Sequence, residues 1–224
     1  MAQRDWYGWH DRYDEPDSAL GRRLLVVQER IRATLDRLPP GPVRAVSLCA
    51  GQGRDLIGVL AHHRRRHDVT GRLVELDPRN AAVARQAASD AGLRGVEVVV
   101  GDAARTDLYA GLVPADLVLL CGIFGNITDD DIRAVVGFCP HLCATDGSVV
   151  WTRHREEPDL VPDICRWFAA EGFALEALTD RDAGFGVGAH RFTGPPRPLP
   201  PGVTMFDFVG KAAANQMRAG RADR

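Results

Sequence analysis

The hydrophobic positions of this chain follow two spacings, which predict helices and strands in turn. The first predicted helix has one apolar face, formed by Leu20, Leu24, Val27, Ile31, Leu35 and Leu38 at intervals of three or four residues. Asp17 or Ser18 can cap the start of this helix, and the two prolines at 39–40 end it.

Short apolar runs alternate with helical stretches through the middle of the chain. Strands are predicted at 44–48, 72–76, 96–100, 115–120 and 148–152, and helices at 55–66, 78–91, 106–112 and 129–142, the last capped by Thr128 or Asp129. Parallel strands joined by single helices require right-handed crossovers and a sheet covered on both faces. The pattern therefore predicts a doubly wound α/β fold.

The end of the chain departs from this alternation. After a helix at 160–171, strands are predicted at 173–178 and 185–192, and the linker between them is too short for a crossover helix. The two strands are expected to form an antiparallel hairpin, which completes a seven-stranded, mostly parallel sheet. Residues 194–202, with five prolines, predict an extended arm, and residues 211–224 a disordered polar tail.

Composition narrows the setting of this fold. With 224 residues, 45% of them hydrophobic, the chain can bury one sizeable core. We expect a single α/β domain at 41–210, preceded by a cap segment and helix at 1–40. The 28 basic and 30 acidic side chains nearly cancel to a net charge of -2, which provides no electrostatic reason to expect nucleic acid or a membrane as a partner.

The N-terminus and the cysteines predict a cytoplasmic protein. The first residues lack the basic and apolar regions of a signal peptide, and five cysteines without a secretory signal predict reduced thiols. Cys139, His141 and Cys143 have spacing that a metal site can use, but no second ligand cluster follows. Buried small side chains are the expected interpretation, and no metal is predicted.

The loop after the first strand has the features of a nucleotide-type ligand site. Gly51 and Gly53 follow the apolar strand and precede a helix, so that backbone N–H groups can approach a ligand at the positive helix end. Asp77 follows the second strand and Asp102 the third, where an acid can accept hydrogen bonds from ribose hydroxyls or an adenine amino group. Taken singly, the two acids fit a helix cap and a turn equally well.

Residues 43–193 resemble the class I S-adenosylmethionine-dependent methyltransferases, which have a Rossmann-like fold. The glycine loop, the two acids and the terminal hairpin occur here in the family's order. The resemblance implies an S-adenosylmethionine site formed by Ala50, Gly51, Gly53, Asp77, Pro78, Asp102, Ala103, Cys121 and Gly122. Asp77 would hold the ribose and Asp102 the adenine. The chain has Ser47 where the family usually has an acid and Cys49 where it has glycine, so the loop is expected to differ in detail.

The predicted catalytic residues are His154, His10 and Tyr13. His154 follows the fifth strand, where a neutral imidazole can take a proton near pH 7. His10 and Tyr13 belong to an aromatic N-terminal segment that either covers the site or packs the first helix onto the sheet. Arg153 is a candidate for binding a substrate carboxylate or phosphate, and Asn126 either orients substrate or shapes a turn.

The predicted methyl acceptor is a small molecule. Residues 121–124 read Cys-Gly-Ile-Phe, where methyltransferases of nucleobase or amide nitrogens carry Asn/Asp-Pro-Pro-aromatic. The basic cluster at 62–67 is expected to be a solvated helix end. Two alternatives stay open: a noncatalytic S-adenosylmethionine-binding or partner protein, and an NAD(P)-binding oxidoreductase, whose fingerprint needs a small residue at Leu56. No oligomeric state is predicted.

Overall fold

A seven-stranded sheet forms the centre of the protein. The structure, a computed structural model, describes residues 5–15 and 18–222. The strand order is β3-β2-β1-β4-β5-β7-β6. The strands are β1 Val43–Leu48, β2 Val69–Glu75, β3 Val96–Val100, β4 Ala115–Leu120, β5 Cys143–His154, β6 Phe173–Leu178 and β7 Phe185–Phe192. β1 to β5 are parallel, and β7 is antiparallel to β5 and β6, which confirms the predicted fold class.

Helices cover both faces of the sheet. They are α1 Trp6–Trp9, α2 Ala19–Arg37, α3 Leu56–Leu60, α4 Pro78–Asp90, α5 Asp129–Leu142, α6 Val161–Ala170 and α7 Lys211–Ala222, with 3-10 turns at His10–Tyr13, Thr106–Tyr109 and Arg181–Ala183. One apolar cluster joins α5 and α6 to the sheet around Trp151, and the other joins α2, α3 and α4 around Leu119. Because both faces are buried, the parallel strands are almost continuously apolar.

The strand order fixes where a ligand can bind. From β1 the chain leads to β2 on one side of the sheet and returns to β4 on the other, so the order reverses at β1. The register pairs Leu48 with Val74 and Ser47 with Leu119, which brings the loops after β1, β2 and β4 to one edge of the sheet. A crevice outside the carboxyl ends of β1 and β4 is the expected ligand site of such a sheet.

The helix caps predicted from the sequence are present at two helices. The Ser18 side chain accepts from the N–H of Gly21 and caps α2, whereas Asp17 lies outside the described residues. Thr128 caps α5 and forms a capping box with Asp131. These polar side chains satisfy N–H groups that have no partner inside the helix.

The expectation of a solvated helix end at 62–67 holds for the exposed side chains of His62, Arg64 and His67 but fails at Arg65. α3 ends at Leu60, earlier than predicted, and Arg65 is buried with 8% of its surface exposed. Its guanidinium donates to the carbonyls of Leu35 (2.9 Å), Leu38 (2.8 Å) and Gly41 (2.8 Å) and pairs with Asp68. The carbonyls at the end of α2 lack partners within the helix, and Arg65 supplies the donors.

The expected disordered tail is also corrected, since residues 211–222 form α7. Alanine, glutamine, methionine and arginine in this stretch favour helix. The helix is attached to the domain because Ala214 is buried and Arg218 pairs with Asp129 at the start of α5 (Nε to Oδ2, 2.9 Å). Residues 223–224 lie outside the described part of the chain.

Within residues 5–15 and 18–222, no helix combines the length and the apolar composition that crossing a membrane requires.

Replacing Arg65 with alanine should lower the free energy of unfolding by about 2–4 kcal/mol, because three carbonyls lose their donor and Asp68 its partner. The matched control is Arg64→Ala, whose side chain is 73% exposed and whose pair with Asp36 is on the surface. That change should cost no more than about 0.5 kcal/mol. Urea unfolding measures both, and equal losses would contradict the role given to Arg65.

Candidate functional site

A cavity of about 1500 Å³ opens at the carboxyl ends of the central strands. It is larger than a typical small-molecule site and has room for two ligands side by side. Most of the predicted site residues line it: His10, Tyr13, Ala50, Gly51, Asp77, Pro78, Asp102, Ala103, Cys121, Gly122, Asn126, Arg153 and His154. Gly53 does not, because a Cβ there would lie 2.5 Å from Ile57 Cδ1, so this glycine permits core packing.

The glycine loop, residues 49–53, has a tightly folded backbone. Cys49, Gly51 and Gly53 have φ values of 51°, 56° and 69°. The N–H of Ala50 donates to Val74 (2.9 Å), and that of Gly53 donates to Ala50 (2.9 Å). The backbone of Cys49 is left-handed, a conformation that glycine adopts without strain but that is unfavourable for a residue with a Cβ.

Glu75 joins the glycine loop to the end of β2 and was missed in the sequence analysis. Its buried carboxylate accepts from the N–H of Gly51 through Oε2 (2.8 Å) and from the N–H of Asp77 through Oε1 (2.9 Å). The sequence signal was the acid at the last position of the strand. The strand predicted at 72–76 ends one residue later than the observed β2, so Asp77 instead of Glu75 was the acid expected at the strand end.

Asp77 caps helix α4, the alternative that the sequence left open. Its Oδ1 accepts from the N–H of Arg79 (2.9 Å), and its Oδ2 pairs with the Arg79 guanidinium (2.7 Å). The hydrogen bond from Arg79 lowers the pKa of Asp77. Both oxygens of the Asp77 carboxylate therefore already have partners in Arg79. Asp77 and Pro78 nevertheless line the cavity.

Asp102 is exposed at the cavity wall beyond β3. Its Oδ1 accepts from the N–H of Ala104 (3.0 Å), which holds the turn after the strand, and Ala103 beside it is buried. An ionised carboxylate has further acceptor positions beyond this one bond. Asp102 therefore keeps acceptor positions for a donor in the cavity, and its adenine role stays a prediction.

The N-terminal cap, residues 5–14, covers the glycine loop. His10 donates from Nδ1 to the carbonyl of Trp6 (2.7 Å), and a Cβ on Gly51 would lie 2.4 Å from His10 Nε2. Burial is the main cause that lowers the pKa of His10. Two ion pairs fasten the cap, from Arg54 to Asp14 (2.6 Å) and from Arg79 to Asp5 (2.9 Å).

The aromatic rings of the N-terminal cap favour the covering interpretation, because Trp6, Trp9 and Tyr13 line the cavity. Trp6 also meets Phe208 edge to face, with ring centroids 5.6 Å apart. The Tyr13 hydroxyl accepts from Arg23 (3.5 Å), and burial raises its pKa, so Tyr13 is a neutral phenol.

His154 is a neutral imidazole and a weak base. Burial, followed by the charge of Arg153, lowers the pKa of His154 to about 4. The N–H of Glu156 donates to Nδ1 (3.3 Å), which leaves the proton on Nε2. His154 therefore presents a hydrogen-bond donor, which differs from the general base expected from the sequence.

Arg153 and Asn126 have different surroundings. Arg153 is 1% exposed and donates from Nη1 to the carbonyl of Phe124, and burial lowers its pKa to about 10, so it stays charged at pH 7. Asn126 donates to the carbonyl of Gly122 (2.7 Å) and accepts from the N–H of Lys211 (3.1 Å). Asn126 thus holds the turn after β4 against the C-terminal strap, residues 206–211.

The cysteine–histidine stretch at the end of α5 and the start of β5 serves the packing of the fold. Cys139 and Cys143 are buried free thiols, and Cys139 donates to the carbonyl of Val135. His141 donates from Nδ1 to the carbonyl of Pro198 (2.6 Å). In the part of the chain that the structure describes, no three metal-binding side chains form a cluster.

Comparison with known proteins identifies this fold as that of methyltransferases. No family model and no curated protein matches the sequence. The CurJ carbon methyltransferase is similar with a TM-score of 0.65 and 13% identity, over 81% of this chain and 57% of that chain. An O-methyltransferase family protein from Burkholderia thailandensis is similar with a TM-score of 0.60 and 20% identity, over 78% of this chain and 56% of that chain. Magnesium protoporphyrin IX methyltransferase from Synechocystis PCC 6803 with bound SAM is similar with a TM-score of 0.59 and 11% identity, over 86% of this chain and 100% of that chain.

This chain spans little more than half the length of the first two of these proteins. At such identities the similarity concerns the fold, which is the class I methyltransferase fold.

Replacing Gly51 with alanine should displace the N-terminal cap, because the new Cβ would overlap the His10 ring. The substitution also costs about 1–2 kcal/mol for a left-handed L residue. Gly122→Ala is the matched control: its φ is 82° and nothing lies within 4 Å of the added Cβ. Limited trypsin digestion, followed by mass spectrometry, should show faster cleavage after Arg12 in Gly51→Ala than in Gly122→Ala. Equal rates would mean that His10 does not hold the cap.

The lowered pKa of His154 makes the protein less stable in acid. An imidazole whose folded pKa lies below its unfolded value of about 6.5 stabilises the fold fully above that pH and loses this contribution as the pH falls to about 4. Buried His190 has the same shift, to about 4, so His154→Gln should reduce the pH dependence without abolishing it. Urea unfolding from pH 7 to 4 tests this. An unchanged profile in the variant would show that His154 has no lowered pKa.

Proposed function

We propose that this protein is an S-adenosylmethionine-dependent methyltransferase that acts on a small molecule. The observation that carries the proposal is the hydrogen bond between Gly51 and Glu75 (2.8 Å) at the carboxyl ends of β1 and β2. It faces a cavity that also contains Asp102, within a fold that methyltransferases share. The glycine loop and Glu75 thus lie together beside β1, where the strand order reverses and where this type of sheet binds ligands.

We assign the ribose of the cofactor to Glu75 instead of Asp77. The Glu75 carboxylate is oriented by two backbone N–H groups, and each oxygen retains a lone pair for a ribose hydroxyl. Asp77, with Pro78, begins α4 beside it. Ala50 and Gly51 approach the methionine part, Asp102 and Ala103 the adenine, and Cys121 and Gly122 the methyl group.

The protein's part in methyl transfer is alignment and exclusion of water. S-adenosylmethionine supplies a methyl group on a sulfonium, and a neutral thioether leaves, so no acid is needed for departure. The N-terminal cap and the C-terminal strap both line the cavity and meet at Trp6 and Phe208, so they would shield bound reactants from water.

The two cavity histidines have complementary proton positions. His10 carries its proton on Nδ1, where it donates to Trp6, so its Nε2 can take a proton from an acceptor hydroxyl or amine. His154 carries its proton on Nε2, which is buried and has no hydrogen-bond partner among the described residues, so it would orient an acceptor that reaches it by donating a hydrogen bond. We therefore give His10 the role of base, because its Nε2 is unprotonated although burial lowers its pKa too, and His154 that of a positioning donor.

The residue at position 56 argues against the alternative function, an NAD(P)-binding oxidoreductase. The NAD(P) fingerprint needs a small residue there so that helix and strand pack closely, whereas Leu56 is fully buried in the core. Its N–H is taken by the Asp55 side chain, which caps α3. The site also has room for a second ligand beside the cofactor, as a methyl acceptor requires.

Isothermal titration with S-adenosylhomocysteine tests the cofactor assignment. Glu75→Gln should weaken binding by more than about 100-fold, because the carboxylate loses its charge, which is worth about 1.5–3 kcal/mol for each hydrogen bond, and its new NH2 end faces a backbone N–H. Asp77→Asn keeps a cap acceptor and should change affinity by less than about threefold. Circular dichroism checks that both variants fold. No binding to the wild-type protein would refute the methyltransferase proposal, and the reverse order of effects would return the ribose to Asp77.

A further inference from the structure

Arg153 differs from the other buried arginines of the described chain in its lack of partners. Arg65 donates to three carbonyls and pairs with Asp68, and Arg155 pairs with Asp159 (2.9 Å) and donates to the carbonyl of Thr179 (2.8 Å). Arg155 leaves only its Nε without a partner, whereas Arg153 has, among the described residues, one hydrogen-bond partner, the carbonyl of Phe124. The Nε and Nη2 atoms of Arg153 are buried and have no hydrogen-bond partner within residues 5–15 and 18–222. A buried charge without a counterion is costly, so this arrangement calls for a ligand.

The acidic side chains around Arg153 are already paired with other cations. The charges of Asp129, Glu156 and Asp159 all act on Arg153. Asp129, however, pairs with Arg218, and Glu156 pairs with Lys211. Asp159 pairs with Arg155. Four cations therefore meet three anions, and the surplus of one positive charge lies on Arg153.

The two free atoms of Arg153 form one edge of the guanidinium. Nε–H and one N–H of Nη2 point in parallel, at the spacing of the two oxygens of a carboxylate. The third nitrogen, Nη1, is held by Phe124 and fixes the plane of the group. The free edge is thus prepared for a bidentate interaction with an oxyanion, although solvent does not reach it until neighbouring side chains part.

Arg153 lies on the side of the cavity where the methyl acceptor of the proposed reaction would bind. Arg153 lines the cavity, and its neighbour Thr152 accepts from the N–H of Gly122 (2.8 Å), on the methyl-transfer side of the proposed site. Aromatic rings of Trp6 and Phe208 provide an apolar wall to the same cavity. One end of a bound acceptor can therefore be anionic and the other apolar.

We propose that the methyl acceptor is a monocarboxylate with an aromatic body, whose carboxylate binds the Nε and Nη2 edge of Arg153. This inference rests on the proposed methyltransferase function. A carboxylate is favoured over a phosphate because the local surplus is a single positive charge, which a dianion would exceed. The aromatic wall favours a planar body.

Binding of matched acids and amides tests the inference on the protein saturated with S-adenosylhomocysteine. The probes are benzoate, 3-phenylpropanoate and indole-3-acetate, each with its neutral amide, and phenyl phosphate. At least one acid should bind more than about tenfold tighter than its amide, and Arg153→Met should abolish that preference. Equal affinity within all three pairs, or tighter binding of phenyl phosphate than of every acid, would overturn the inference.

Thermal stability separates a ligand-binding arginine from a structural one. Arg153→Met removes an unpaired buried charge, so the Tm should stay constant or rise by about 2–4 °C. Arg155→Met is the matched control and should lower the Tm by more than about 4 °C, because Asp159 loses its partner. Equal losses in the two variants would assign Arg153 to the framework of the fold.

The same titrations distinguish a wrong acceptor class from a wrong proposal of methyltransferase function. Arg153→Met should bind S-adenosylhomocysteine with the wild-type affinity, because Arg153 lies outside the proposed cofactor contacts. If the wild type binds S-adenosylhomocysteine but prefers no acid, only the acceptor class is wrong. If it binds no S-adenosylhomocysteine, the proposed function fails, and acid binding measured without cofactor still reports on Arg153.

Discussion

The buried carboxylate of Glu75 is the constraint on which the site depends. It accepts from Gly51 in the loop after β1 and from Asp77 at the start of α4, so one side chain sets the positions of two neighbouring strand ends. A buried carboxylate needs such donors, because an unsatisfied charge would destabilise the fold. The same two bonds turn its remaining lone pairs toward the cavity, which makes the structural role and the proposed binding role inseparable.

Both ends of the described chain contribute to the enclosure of this cavity. The N-terminal cap reaches the glycine loop through His10, and the C-terminal strap is anchored at Asn126, which accepts from Val209, Gly210 and Lys211. The two meet where Trp6 packs on Phe208. Because neither segment belongs to the sheet, they can separate without breaking strand pairing, which would widen the entrance of the cavity for ligands.

The sheet was predictable from the sequence, whereas the partners of its polar groups were not. Hydrophobic spacing located β3, β4, β6 and β7 at the observed boundaries, since the order of apolar and polar residues in a segment records which of its own side chains are buried. The roles of Glu75 and Arg65 depend on groups far apart in sequence: Glu75 bonds to a different loop, and Arg65 to the end of α2. Local composition alone likewise suggested disorder at 211–222, where attachment to α5 stabilises a helix.

The distribution of charge within the fold carries information that the net charge of -2 conceals. A chain whose acids and bases nearly cancel can still leave one cation without a partner, and burial then decides what that means. An exposed unpaired arginine is solvated by water and needs nothing else, whereas Arg153, at 1% exposure, has lost that solvation. Its neighbours Arg155, Lys211 and Arg218 hold the available carboxylates. An unpaired charge at the wall of a cavity is therefore evidence for the chemistry of the molecule that the cavity receives.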